Sequence, residues 1–171
     1  MKRSLMLFAA LVLAIAGSLM GRQLLAVDAA QSKYPIELKL TDIAGQPLDL
    51  AAYHGKVVVV DVWATWCHYC VAEIPDVIKF QQEMTKANKP VQVIGLAVED
   101  EADSVKAFVK EHHVDYPVAL TTKKELKPQF GSIPGIPEAF ILNDKGVIVD
   151  TIVGMTDKAT LTRTVNRYLP K

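Results

Sequence analysis

Val57-Val58-Val59-Val60-Asp61-Val62-Trp63-Ala64-Thr65-Trp66-Cys67-His68-Tyr69-Cys70 is the stretch that decides the reading of this chain. Its first half is a β-branched run too continuous for a strand with one wet face, so it predicts a central strand buried on both sides. Asp61 is out of place in such a strand. The second half holds the only two cysteines, separated by two residues, and Val71, Ile74, Val77, Ile78 and Met84 then follow at helical spacing. A Cys67–Cys70 bridge would close too small a loop to remove much unfolded-state entropy, which makes a structural staple a poor reason for the pair. Redox chemistry is a better one. A thiolate at a helix start is stabilised by unpaired N–H groups and the helix dipole, and a second thiol one turn on can attack a mixed disulfide made by the first.

Outward from this stretch, the helix is expected from Cys70 to near Asn88, with Pro75 kinking it after the first turn. Val91 to Val98 reads as a second buried strand, and the acids Glu99 to Asp103 precede a helix carrying Val105, Phe108 and Val109. His112 and His113 close that helix, where imidazoles suit the dipole. Tyr116 to Leu120 is a short strand, Lys123 to Phe130 a small helix with solvated lysines, and Gly131 to Pro137 a loop. Ala139 to Leu142 and Val147 to Val153 form a hairpin about Asn143-Asp144-Lys145-Gly146, and Asp157 to Tyr168 an amphipathic helix. Upstream, alternation over Ile36 to Leu40 and at Leu48 and Leu50 predicts an N-terminal hairpin. The order implies an α/β fold, a mixed central sheet with helices on both faces and an inserted strand–helix unit. The cysteine pair then falls at the carboxyl end of the central strand, where open sheets keep their active sites.

With 171 residues, half of them apolar, the chain can bury one sizeable core, which favours one domain plus any targeting segment. The formal net charge is zero, so no overall field attracts nucleic acid or an acidic substrate. Lys2 and Arg3, the apolar Leu5 to Ala16, and Val27-Asp28-Ala29 read as an export signal over residues 1–29, leaving a domain over 30–171. The apolar run continues to Met20 and approaches the roughly 17 to 25 residues of a membrane span, so an uncleaved anchor is the alternative. Either way the basic N-terminus would leave the domain outside the membrane.

Val62 to Cys70, together with Gly135-Ile136-Pro137-Glu138-Ala139-Phe140-Ile141-Leu142, resembles the TlpA-like (ResA/CcmG-type) thiol-disulfide oxidoreductases of the thioredoxin superfamily, over about residues 34 to 169. The resemblance implies a thioredoxin-like fold, Cys67 as nucleophile and Cys70 as the resolving thiol. Pro137 matches the family's cis-proline, which lies opposite the cysteines and lets the preceding backbone, here Ile136, pair with a substrate strand. Asp61 matches the buried acid of thioredoxins, where many TlpA-like proteins have Asn; burial would raise its pKa and let it exchange a proton with Cys70. A frayed strand end is the alternative. Glu73 matches an acid near the thiols, and also reads as an ordinary charge in the first turn of a helix. His68 and Tyr69, where the family more often has Pro or Glu, would tune the redox poise. Trp66 and Tyr69 would offer apolar surface to an unfolded peptide, and Glu138 would put charge beside the groove.

These readings converge on an exported reductase, periplasmic or otherwise extracytoplasmic, with or without an inner-membrane anchor. By resemblance its partners would be disulfide-bearing apocytochromes c or copper-site assembly proteins, and a membrane electron relay would supply thiol reducing power. The chemistry needs no cofactor beyond the two thiols. An oxidase or isomerase is the nearest alternative, kept open by His68 and Tyr69. A copper or zinc carrier using Cys67, Cys70 and His68 is another, for which the ligand set is incomplete.

Overall fold

Strand β3 (Val57–Trp63) lies at the centre of a five-stranded sheet of order β5-β4-β3-β6-β7. This computed structural model describes residues 34–170; the export signal or anchor expected at residues 1–29 lies outside the described residues. On one side of β3, β4 (Val91–Val98) and β5 (Val118–Thr121) run parallel. On the other, β6 (Glu138–Leu142) and β7 (Ile148–Val153) are antiparallel. A separate hairpin, β1 (Lys39–Thr41) and β2 (Pro47–Asp49), precedes the sheet. The helices are α1 (His68–Lys86), α2 (Ala102–Glu111), α3 (Lys123–Phe130) and α4 (Lys158–Val165).

Every residue of β3 is buried, and its alternation feeds two cores. Val57, Val59 and Trp63 pack with Ile74, Val77 and Phe80 of α1, Val105 of α2, and Leu161 and Val165 of α4. Val58, Val60 and Val62 pack with Leu48 of β2, with Leu38 and Leu50 flanking the hairpin, and with Leu126 and Phe130 of α3. A side chain so buried contributes roughly 1.5–3 kcal/mol, which is why a β-branched run without polar alternation suits this position. Asp61 shares the α1 face with Val59 and Trp63. The hairpin docks on the free edge of β5, with Ile43 N donating to Val118 O at 2.8 Å, and so covers an edge that would otherwise be open to pairing.

Several boundaries differ from the sequence reading. Ile36 and Leu38 are buried but belong to no strand: Ile36 N bonds Gly146 O, and Glu37 pairs its backbone with the Gln129 side chain, accepting at 3.0 Å and donating at 2.6 Å. Helix α1 begins at His68 and continues as one element through Pro75, because proline there deletes a single ladder bond while the flanking apolar residues hold the helix to the sheet. The last helix is shorter than expected. Asp157 caps it through Thr160 N at 2.7 Å, and after Val165 the chain turns so that the Tyr168 hydroxyl reaches Val149 O and Asp150 Oδ2. His112 caps α2 and stacks on Phe108 at 4.0 Å.

Candidate active site

From the carboxyl end of β3 the chain passes through Ala64 and Thr65 to Cys67, which is the N-cap of α1. Cys67 and Cys70 form a disulfide with their Cα atoms 5.2 Å apart, and Cys67 Sγ accepts from Cys70 N at 3.2 Å. Cys67 is 8% exposed and Cys70 is fully buried, so Cys67 is the sulfur open to an incoming thiol. On reduction, the same N–H and the positive end of α1 favour a thiolate at Cys67.

Two acids lie behind the pair. Asp61, between Gly95 on β4 and Ala139 on β6, is 1% exposed, and neither of its carboxylate oxygens meets a hydrogen-bond partner. The position is therefore a closed interior one and not a frayed strand end, and that burial pushes the Asp61 pKa up to about 7. Glu73 on α1 is 2% exposed, and its Oε2 accepts from Thr156 N at 2.7 Å. Burial, then the charge of Asp61, raises it to about 8 against the lowering effect of the Thr156 N–H. Its place is therefore not that of an ordinary solvated helix charge, and the first turn of α1 carries no acid.

The loop before Cys67 is held by a clamp that the sequence did not disclose. Thr65 donates through N and Oγ1 to Asp100 Oδ2 and Oδ1 at 2.6 and 2.9 Å, and Trp66 Nε1 donates to Glu99 O at 2.9 Å. Glu99 holds a positive φ of 46° to present that carbonyl. In the sequence these acids are indistinguishable from the ordinary start of a helix, and the contact spans 35 residues.

Facing the disulfide, the Ile136–Pro137 peptide bond is cis, and Ile136 O lies 3.7 Å from Cys67 Sγ. Pro137 O accepts from Gly154 N at 2.9 Å. Trp66 and Tyr69 are 61% and 64% exposed, and His68, also exposed, meets the Tyr69 ring edge-on at 5.8 Å. Val153 and Met155 add exposed apolar surface beside Gly154. Glu138 departs from expectation: it is buried on β6 with one oxygen unpartnered, and burial raises its pKa against the opposing effect of Lys123. It shares the face of β6 with Phe140 and Leu142, which pack against α3, opposite the face that Ala139 and Ile141 share with the cysteines.

The structure thus gathers Trp66, Cys67, His68, Tyr69 and Cys70 at the start of α1, sets Ile136 and Pro137 against Cys67, and places Asp61 and Glu73 in the interior. A disulfide closed over one helical turn, at the carboxyl end of the central strand of a thioredoxin-like sheet, defines a thiol-disulfide oxidoreductase. The chain belongs to the Redoxin family, whose model matches residues 29–168, and within the thioredoxin superfamily it is of the ResA/CcmG type. It is 29% identical to the thiol-disulfide oxidoreductase ResA of Bacillus thuringiensis over 77% of this chain and 74% of that one. It is 31% identical to the thioredoxin-like protein YneN of Bacillus subtilis over 71% of each. The crystal structure of a thiol:disulfide interchange protein of the thioredoxin family from Chlorobium tepidum superposes with a TM-score of 0.72 at 30% identity, covering 84% of this chain and all of that one.

Proposed function

We propose that the protein is an exported reductase of particular partner disulfides. The observation that carries this reading is the burial of Asp61 and Glu73 on the same side of β3 as Cys70. Acids there disfavour a thiolate at the pair, which destabilises the reduced form relative to the disulfide and makes the couple more reducing. Cys67 thiolate attacks one sulfur of the partner disulfide; a Cys67–partner bond forms, and the partner's other sulfur leaves as a thiolate. Cys70 then gives its thiol proton to the ionised member of the acid pair and attacks Cys67 Sγ. The Cys67–Cys70 bond forms, the second partner sulfur departs, and two electrons have passed to the partner. Ile136 offers backbone to an extended partner segment, Trp66 and Tyr69 offer apolar contact, and His68 tunes the thiols from the helix start.

By similarity to its family the partners are apocytochromes c or copper-site assembly proteins, and a thiol relay in the membrane returns the protein to its reduced form. The composition of residues 1–29 supports an extracytoplasmic domain beginning near residue 30, secreted or anchored. The test is the reduction potential of the Cys67–Cys70 couple against glutathione. A value near or below roughly −230 mV supports the reductase, whereas one near −120 mV makes the protein an oxidant. Cys70→Ser supplies a second readout: it should accumulate mixed disulfides with partner proteins through Cys67, and an empty trap counts against the reading.

A further inference from the structure

Gly95 lies across from Asp61 in the parallel pairing of β3 and β4. A Cβ at this glycine would stand 3.0 Å from Trp63 Nε1, 3.2 Å from Val118 Cγ2 and 3.3 Å from Tyr116 Cε2. Its φ is not in the left-handed region, so the absent Cβ serves here to let the Trp63 indole and the Tyr116 ring close on the strand. The notch is bounded by an indole N–H and a phenol ring whose hydroxyl oxygen is two bonds beyond Cε2. Trp63 Nε1, the Tyr116 hydroxyl and both Asp61 carboxylate oxygens are buried without a protein partner. That is an unusual concentration in one place, since buried polar groups are nearly always satisfied.

Two donors and one carboxylate about a single backbone notch match the valence of a water, which accepts two hydrogen bonds and donates two. We propose that Asp61, Trp63 and Tyr116 bind an internal water beside Gly95, among their unpartnered polar atoms, and that Tyr116 is a positioning residue acting on Asp61 through it. The groups acting electrostatically on Tyr116 are Asp61 of β3, Glu73 of α1 and Asp115 beside it. Burial, then these charges, hold the phenol well above its ordinary value, so it remains a donor through the neutral range. Relayed to Asp61, that donor favours the carboxylate over the acid and opposes part of the burial effect. Asp61 is thereby kept able to take a proton near neutral pH.

Tyr116→Phe removes the hydroxyl and retains the ring. The readout is the titration of the Asp61 carboxyl carbon by NMR in the oxidised protein, assigned with Asp61→Asn. The midpoint should rise by about half a unit in Tyr116→Phe, less than for loss of a direct hydrogen bond to the charged form because Tyr116 acts on the carboxylate through the water. An unmoved midpoint in a variant with native near-UV circular dichroism overturns the proposal. Should Tyr116→Phe fail to fold, a crystal structure of the unaltered oxidised protein decides: an ordered water bonded to Trp63 Nε1, the Tyr116 hydroxyl and Asp61 is expected, and a dry notch rejects it. Neither readout uses a partner or an electron donor, so a finding that the protein is an oxidase leaves the inference standing.

Discussion

Thr156 N donates to Glu73 Oε2 at 2.7 Å, and this bond ties the loop after β7 to the helix that carries both cysteines. Two residues earlier, Gly154 N donates to Pro137 O at 2.9 Å. Residues 154–156 therefore connect an interior acid to the segment that faces Cys67, and the position of each constrains the other.

Glu73→Gln separates the two roles of this side chain. The amide oxygen still accepts from Thr156 N, so the fold should persist, but the group no longer takes a proton. Because Asp61 is the acid of lower pKa and the one ionised near neutral pH, attack of Cys70 on a preformed mixed disulfide should slow by less than about 10-fold in Glu73→Gln and by about 10²-fold in Asp61→Asn, the range for removal of a general base. Single-turnover release of a labelled peptide measures it. Glu73→Ala should in addition lose about 1–2 kcal/mol of stability, since it leaves the half-buried Thr156 N–H without its partner.

The acids also fix the sign of the pH dependence of stability. Asp61 and Glu73 have native pKa values raised above their unfolded ones, so between the two values the native state binds more protons than the unfolded state. Stability contributed by the neutral acids is present below about pH 4 and falls as pH rises through about 7 to 8. Urea denaturation of the oxidised protein from pH 4 to 9 should show a decline of a few kcal/mol. Asp61→Asn should flatten much of it, and an unchanged slope in that variant would place the titrating groups elsewhere.

How far the sequence disclosed this site follows from which contacts are local. The β-branched run around Asp61 announces two-sided burial because every neighbour along the strand is apolar, and the cysteines announce a helix start because their spacing matches one turn. Gly95 is hidden for the opposite reason: within Val91 to Val98 it reads as one more small residue, and its meaning lies in Trp63 and Tyr116, which cover it from other segments. Ile36 and Leu38 alternate like a strand because alternation reports burial, while the backbone of Ile36 bonds Gly146, that of Glu37 the Gln129 side chain and that of Leu38 the N–H of Leu50. Glu138 reads as a groove charge because it adjoins Pro137, and only the alternation along β6 shows that it lies on the α3 face with Phe140 and Leu142.

Asp100 should prove a structural determinant of the loop before the nucleophile. Its carboxylate accepts from Thr65 N, Thr65 Oγ1 and Glu101 N, and hydrogen bonds to a charged group contribute roughly 1.5–3 kcal/mol. Asp100→Ala should lower the unfolding free energy by about that amount. It should also weaken the bond from Trp66 Nε1 to Glu99 O, visible as a change in tryptophan fluorescence of the folded state. Equal stability and an unchanged spectrum would show that the clamp is not needed.

Tyr69 is the place to separate partner binding from thiol chemistry. At 64% exposure its ring has little packing to lose, so Tyr69→Ala should alter stability by no more than about 0.5 kcal/mol, as for other surface changes. Its position between the cysteines puts the ring at the mouth of the site, beside the equally open Trp66. On the proposed reading a partner segment that reaches Cys67 covers both rings, and aromatic side chains contribute disproportionately to such contacts. Truncation should raise KM for a protein disulfide several-fold while leaving the rate with a small disulfide such as oxidised glutathione nearly unchanged. Equal effects on both substrates would mean that Tyr69 acts on the thiols themselves and not on the partner.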